Sequence, residues 1–121
     1  MAVVPEAQSW TTTNHVSHQR YDAWVHLLNE TFGTWGTQSI SNRDFNADVK
    51  ATDIGSLKVV ECVCDPCGGQ RTASTVRIDD EERLAIQLVL SGREHMRLGD
   101  QEAVLEAGDI FVWDTTQPMT F

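Results

Sequence analysis

The chain has 121 residues, of which 40% are hydrophobic and 22% charged, a length and balance typical of one globular domain. That hydrophobic content excludes a disordered chain, and no apolar run of about 18 residues is present to form a membrane-spanning helix. The formal net charge of −9 repels phosphates, so we expect no direct DNA binding by this segment. Residues 1–8 lack the basic and apolar features of a signal peptide, which predicts a cytoplasmic protein.

The first predicted element is a helix. Residues 1–13 show no periodicity and are expected to be a loose leader before a single domain over residues 14–121. Apolar residues then recur at spacings of three and four, which places them on one face of a helix. The residues of this stripe are Tyr21, Trp24, Val25, Leu28 and Phe32. Ser17 is suited to cap the start of the helix, and Gly33 to end it.

From residue 45 onward the apolar pattern changes to a period of two, which indicates strands. The predicted strands are 45–51, 57–63, 72–78, 84–90, 94–98, 102–105 and 110–113, with an acidic loop at 79–82. Within the fourth, one face is apolar and consists of Leu84, Ile86, Leu88 and Leu90. Short strands separated by Gly and Asp turns predict a mainly β fold, a sandwich or small barrel, after the one helix.

Three cysteines lie within six positions, at Cys62, Cys64 and Cys67. Clustered thiolates can bind zinc, with a fourth ligand from His95 or an aspartate. Structural zinc sites usually combine two spaced pairs of ligands, and no second pair is present. An odd, clustered set does not indicate a disulfide framework either. The favoured interpretation is that the three thiols fill small spaces and that the protein binds no metal.

The second half of the chain carries an ordered set of features. They are Arg71-Thr72, an acidic loop, an apolar strand ending at Ser91-Gly92, a hairpin at Gly99-Asp100-Gln101-Glu102, Leu105-Glu106-Ala107-Gly108-Asp109-Ile110, and Asp114-Thr115-Thr116-Gln117-Pro118. The helix around Trp24, the turn Asp53-Ile54-Gly55 and the segment Asp65-Pro66-Cys67 precede them in matching order. Over residues 17–121 the chain resembles the AraC-binding-like sensor domain at the N-terminus of many AraC-type transcription regulators.

This resemblance implies a cupin-like jelly-roll barrel that binds a small effector or mediates dimerisation. In the family, further strands and then two helix-turn-helix motifs follow the domain. We therefore expect the chain to end before its DNA-binding domain and before its own barrel is complete. A fragment, a truncated gene and a naturally short form all remain open.

The histidines do not match a catalytic cupin. Metal-dependent cupins resemble one another in a His-x-His pair, a glutamate and a later histidine. The corresponding segment here, 92–97, holds only His95, and the other histidines lie near or on the first helix, at His15, His18 and His26. A Gly-x-Ser-x-Gly motif is also absent from the sequence. We therefore expect neither a catalytic metal nor enzymatic activity.

Three residues are candidates for contact with an effector: Arg71, His95 and Trp113. Arg71 can pair bidentately with a carboxylate, but 18 acidic residues compete for 9 basic ones, which favours a structural ion pair. His95 is expected on the surface or at a pocket rim. Trp113 fits either the core or a pocket wall, since a buried indole N–H requires a partner.

The sequence thus predicts the effector-binding and dimerisation domain of an AraC-type regulator, without a cofactor. The alternatives are a small cupin enzyme, such as an isomerase or dioxygenase, and a non-catalytic interaction fragment. A strand is predicted to open at Met119, and a barrel cut there would leave a strand edge unpaired. The apolar face beside it, near Leu88, Leu90 and Trp113, is then expected to be exposed. These two features predict a homodimer.

Overall fold

The computed structural model describes residues 6–37, 44–79 and 81–121. They form two compact units, which are treated separately below. Among the described residues, unit 1 contains 6–27 and 44–67, and unit 2 contains 28–37, 68–79 and 81–121. The boundary between the units passes through the main helix. Neither helix in this part of the chain has the length and apolar character needed to cross a membrane.

Strands predominate among the described residues, and they pair antiparallel throughout. The helices are α1 (Arg20–Phe32) and α2 (Ala73–Ile78). The strands are β1 (Ala7–Thr11), β2 (Gly36–Thr37), β3 (Ala47–Ile54), β4 (Leu57–Cys64), β5 (Gly69–Arg71), β6 (Leu84–Leu88), β7 (Arg93–Leu98), β8 (Gln101–Glu106), β9 (Ile110–Asp114) and β10 (Met119–Thr120). The prediction of a mainly β fold with one main helix is confirmed.

Unit 1 is a three-stranded sheet in the order β1-β3-β4. The predicted hairpin is present: β3 and β4 are joined by a tight turn, in which Gly55 has a φ of +63°. Alternation along β3 and the residues before it buries Phe45, Ala47 and Val49 on one face. Phe45 is fully buried, with its ring centroid 6.0 Å from that of Trp24 on α1. Within unit 1, Phe45 of the sheet region therefore packs against Tyr21 and Trp24, two members of the predicted apolar stripe.

Strand β1 lies within the segment expected to be a loose leader. All five of its residues pair with Asp48–Thr52 of β3, with Trp10 opposite Val49. The sequence of β1 is mostly small and polar, so it gave no alternating signal. Its order comes from backbone pairing and from the Trp10 ring, whose centroid lies 6.3 Å from that of Trp24. Ser17, predicted to cap α1, instead begins a 3-10 turn ahead of it.

The prediction of a strand over residues 72–78 is wrong. The chain forms the short strand β5 and then the helix α2. Thr72 caps this helix, because its Oγ1 accepts a hydrogen bond from the Thr75 N–H at 3.3 Å. At the other end, the Arg77 side chain donates to the Ala73 carbonyl at 3.2 Å. The β-branched residues in the segment favour a strand, and the cap outweighs that preference.

Unit 2 contains a five-stranded sheet in the order β2-β5-β10-β7-β8 and a two-stranded sheet of β6 and β9. The predicted strand at Met119 is present as β10. It lies inside the larger sheet, with Met119 opposite both Arg71 and Leu98. Phe121 extends this pairing, since its N–H donates to the Gly69 carbonyl at 3.0 Å. The last residues of the chain are thus part of the sheet.

The two-stranded sheet exposes an apolar face. Its members are 52% to 74% exposed and comprise Leu84, Ile86, Leu88, Ile110 and Val112, with Leu90 directly after β6. Cross-strand pairing places Ile86 opposite Val112 and Leu88 opposite Ile110. Leu88 and Leu90 are exposed as expected, but Trp113 is not: it is buried, because it lies on the inner face with Ala85 and Gln87.

Arg71 is a buried cation at the centre of unit 2, with 1% of its surface exposed. One terminal nitrogen donates to the Thr34 carbonyl at 2.8 Å and to the Asp79 carboxylate at 2.6 Å. The other donates to the Thr115 carbonyl at 2.7 Å. The guanidinium also lies over the Trp35 ring, 5.6 Å from its centroid. Three loops are therefore tied to one side chain.

Asp79 is held in its charged form by these contacts. Burial alone would raise the pKa of its carboxyl. Hydrogen bonds from the Thr34 hydroxyl and N–H, followed by Arg71, outweigh burial and lower that pKa below its usual value. A carboxyl whose pKa is lower in the folded than in the unfolded state stabilises the fold at any pH above the unfolded pKa. This contribution is lost as the pH falls through the folded value.

We predict that Asp79→Asn lowers the free energy of unfolding at pH 7 by about 3–5 kcal/mol, because Arg71 remains buried without its counter-charge. The difference from the wild type should shrink as the pH falls below the unfolded value of 3.8 and through the lower folded pKa, where Asp79 itself becomes protonated. Urea unfolding at a series of pH values measures both effects.

Glu81→Gln is the matched control. It removes the exposed ion pair between Arg83 and Glu81, at 2.7 Å, and should cost no more than about 1 kcal/mol. Equal losses in the two variants would show that burial does not set the strength of the Arg71 pair.

Candidate functional site

The structure places the three predicted effector-binding residues in different surroundings. Arg71 is buried, and its terminal nitrogens donate hydrogen bonds to groups of the protein. The charge balance of the sequence favoured such a structural role. His95 is exposed on β7, and its Nε2 lies 4.0 Å from the Glu102 carboxylate. Trp113 is buried on β9. Arg71 and Trp113 both contact Trp35, whereas His95 lies on the solvent side of its strand.

A chain of polar groups runs through the interior of unit 2. The Trp113 Nε1 donates a hydrogen bond to the Gln87 Oε1 at 3.3 Å. The Gln87 amide nitrogen donates in turn to the Glu94 carboxylate. Gln87 belongs to the two-stranded sheet and Glu94 to the larger one. The chain therefore connects the inner faces of the two sheets, and it ends on a carboxylate.

Glu94 has a perturbed carboxyl group. Burial raises its pKa, and the hydrogen bond from Gln87 offsets this only in part. Strand alternation explains the burial: Glu94, Met96 and Leu98 point to the same side of β7. A buried carboxylate with one neutral donor is still able to accept further hydrogen bonds.

A cavity of about 290 Å³ lies in unit 2. Its lining residues are Met96, Leu98, Gln101, Glu102, Ala103 and Phe111. Phe111 is the cross-strand partner of Gln87, and Met96 follows Glu94 by two positions on the same side of β7. The walls of the cavity combine apolar side chains with the polar Gln101 and Glu102, a mixture that small-molecule sites also have.

Sequence analysis missed Gln87 and Glu94 as site residues. A signal for both was present, since each is a polar residue in a series of inward positions that is otherwise apolar. Gln87 lies between Ala85 and Val89, and Glu94 precedes Met96 and Leu98. Buried polar groups require partners, so such a position marks either a network or a site. Locating the partners required the register of the sheets.

The cysteines lie in unit 1. Cys62 and Cys64 are exposed on β4, and Cys67 is half-buried just after it. The Cys64 and Cys67 sulfur atoms are 4.0 Å apart. Within the described ranges, no group of three or more His, Cys, Asp or Glu side chains is arranged to hold a metal ion. The zinc ligands considered from sequence are therefore not assembled there.

We predict that Glu94→Gln stabilises the fold at neutral pH. The amide keeps an acceptor for Gln87 and removes a charge that burial disfavours. A carboxyl whose pKa is raised in the folded state stabilises the fold at a pH below the unfolded pKa of about 4.5. That contribution is lost as the pH rises through the folded pKa. The variant's advantage in thermal unfolding should thus grow from about pH 4.5 towards pH 7. Glu106→Gln, at an exposed position, is the control; an equal gain there would refute the role of burial.

Comparison with known protein families matches residues 24–121 to the family described as AraC-binding-like domain. No curated protein and no solved structure gave a match. The family is regulatory and its domain is cupin-like, which agrees with the mainly β structure and supports a ligand-sensing domain of AraC-type regulators. Since the match covers most of the sequence, this chain belongs to the AraC-binding-like domain family.

Proposed function

We propose that the chain is the effector-sensing domain of an AraC-type transcription regulator and that the effector occupies the cavity in unit 2. The observation that carries this proposal is a cavity with apolar walls, one of which, Met96, follows the half-buried Glu94 by two positions on the same side of β7. Perturbed carboxyl groups next to cavities are characteristic of functional sites. The domain acts through binding, without catalysis or a bound cofactor.

The lining of the cavity defines the chemistry of the ligand. Met96, Leu98 and Phe111 favour an apolar body, and a volume of about 290 Å³ limits it to a small molecule. Glu102 is the carboxylate among the lining residues, and Glu94, two positions before Met96 on β7, is proposed as a further acceptor. A ligand with an amine or hydroxyl at one end is therefore favoured, and a carboxylate is repelled.

Homodimerisation is the second part of the proposal. The exposed face of β6 and β9 carries apolar side chains on both strands, which in a monomer would contact water. A second copy of the same face is the proposed partner, because a two-fold interface pairs identical surfaces. Ile86, Leu88 and Ile110 on this face are uncharged. The net charge of −9 therefore produces no repulsion between two copies at these residues. A specific interface should bury more than about 1,000 Å².

We predict that hexylamine and hexanol raise the melting temperature of the protein in a concentration-dependent way and that hexanoate does not. The amine and the hydroxyl donate hydrogen bonds to Glu94, and binding to the folded state alone stabilises it. Differential scanning fluorimetry followed by calorimetric titration measures the effect.

Phe111→Ala should weaken binding of hexylamine about tenfold or more, since it removes an aromatic wall of the cavity. Val112→Ala is the matched control, because Val112 follows directly on β9 and faces the other side. Equal stabilisation by all three compounds, or equal loss of binding in both variants, would place the ligand elsewhere.

We predict that Ile86→Asp converts a homodimer into a monomer. The substitution puts a carboxylate at the centre of the apolar face, where two copies would bring like charges together without water. Val104→Asp, at an exposed valine of β8 outside this face, should leave the dimer intact. Analytical ultracentrifugation at micromolar concentration decides between the two states. A monomeric wild-type protein would contradict dimerisation through this face.

A further inference from the structure

Two thiols are held close together where β4 ends. The Cys64 and Cys67 sulfur atoms are 4.0 Å apart, and the residues between them are Asp65 and Pro66. A disulfide requires the sulfur atoms to approach to about 2.05 Å. Closing the bond therefore requires the sulfur atoms to approach by about 2 Å, and rotation about the Cα–Cβ bonds is the motion we expect to supply it.

The turn that carries these thiols is fixed to the neighbouring strand region. The Asp65 N–H donates to the Asn46 carbonyl at 2.8 Å, and the Asp65 carboxylate accepts from the Asn46 N–H at 2.9 Å. A third bond joins that carboxylate to the Asn46 side-chain amide at 3.3 Å. Pro66 restricts the backbone further. The closeness of the thiols is therefore a property of an anchored turn, and little conformational freedom remains to be lost on closure.

The two thiols differ in their exposure to a reagent. Cys64 is exposed at the end of an edge strand, whereas Cys67 is half-buried. A small molecule therefore reaches Cys64 first, and Cys67 lies within contact distance behind it. This is the arrangement of an attacking and a resolving thiol.

We propose that Cys64 and Cys67 form a reversible dithiol–disulfide site that reacts with small-molecule disulfides. This site is separate from the effector cavity, and the proposal does not depend on effector binding.

The reaction balances as two exchanges. The Cys64 thiolate attacks one sulfur of the small disulfide, whose S–S bond breaks and releases one small thiolate. The Cys67 thiolate then attacks the Cys64 sulfur in the mixed disulfide, and the second small thiolate leaves. The two protein thiols lose two protons and are oxidised together, and the small disulfide is reduced to two thiols. A dithiol reductant reverses both steps.

Cys62 provides an internal comparison. It precedes Cys64 by two positions on the same side of β4 and is also exposed. In an extended strand, residues two apart are separated by about 6.5 Å along the backbone. The anchored turn favours Cys67 as the partner of Cys64, and Cys62 should stay reduced.

The test treats the whole reduced chain with oxidised glutathione under anaerobic conditions, with a metal chelator present. Alkylation of the remaining thiols and mass spectrometry then give the number and position of each. We expect a loss from three alkylatable thiols to one, a link between Cys64 and Cys67, and recovery of all three with dithiothreitol. Stable glutathione adducts on every cysteine, a link to Cys62, or a disulfide between two chains would each overturn the proposal.

Two variants distinguish Cys67 from Cys62 as the partner of Cys64. Cys67→Ser should leave a persistent glutathione adduct on Cys64, because the resolving thiol is absent. Cys62→Ser should form the intramolecular link to the same extent as the wild type, within twofold. Release of glutathione from Cys64 in the first variant, or loss of the link in the second, would show that Cys62 is the true partner.

Discussion

The burial of one cation constrains the rest of unit 2. An arginine with 1% of its surface exposed must have partners, because an unpaired buried charge costs more than a domain of this size can sustain. Arg71 finds them in the loops after α1, α2 and β9, through Thr34, Asp79 and the Thr115 carbonyl. Those loops lead into β2, β6 and β10, so the positions of both sheets in unit 2 follow from this side chain. The Trp35 ring beside it packs edge-on against Trp113 and so extends the same constraint to β9.

Glu94 is a second ionisable group of unit 2, half-buried, but the structure does not give it such a set of partners among the described residues. A neutral amide from Gln87 is the hydrogen bond that the structure gives it, and burial keeps its pKa raised. A protein selected only for stability would gain by placing an apolar residue there. The same carboxylate is proposed as an acceptor for a hydrogen-bond donor on the ligand. The Glu94 carboxylate therefore accounts both for a loss of stability and for the proposed affinity for a ligand.

Whether the sequence predicted an element depended on whether local residues or distant partners hold that element in place. The stripe around Trp24 and the alternation around Val49 are local patterns that burial reinforces, and both elements formed as expected. Strand β1 has no local pattern, because its order comes from pairing with β3. At α2, a single cap at Thr72 prevailed over β-branched residues. The partners of Glu94 depend on sheet register, which short strands of similar composition do not specify.

The proposed dimer face lies on the outer side of β6 and β9, and the cavity is lined by Phe111 on the inner side of β9 together with residues of β7 and β8. Along β6, Gln87 faces inward to the polar chain, and its neighbours Ile86 and Leu88 face outward. Along β9, Phe111 lines the cavity while Ile110 and Val112 are exposed. A ligand changes an association equilibrium only if it binds one state more tightly than the other. A shift of β6 against β9 would alter both faces at once, because inward and outward residues alternate on one backbone. The two-stranded sheet is thus the element through which effector binding would reach the dimer, and the size of that coupling is set by the difference in ligand affinity between monomer and dimer.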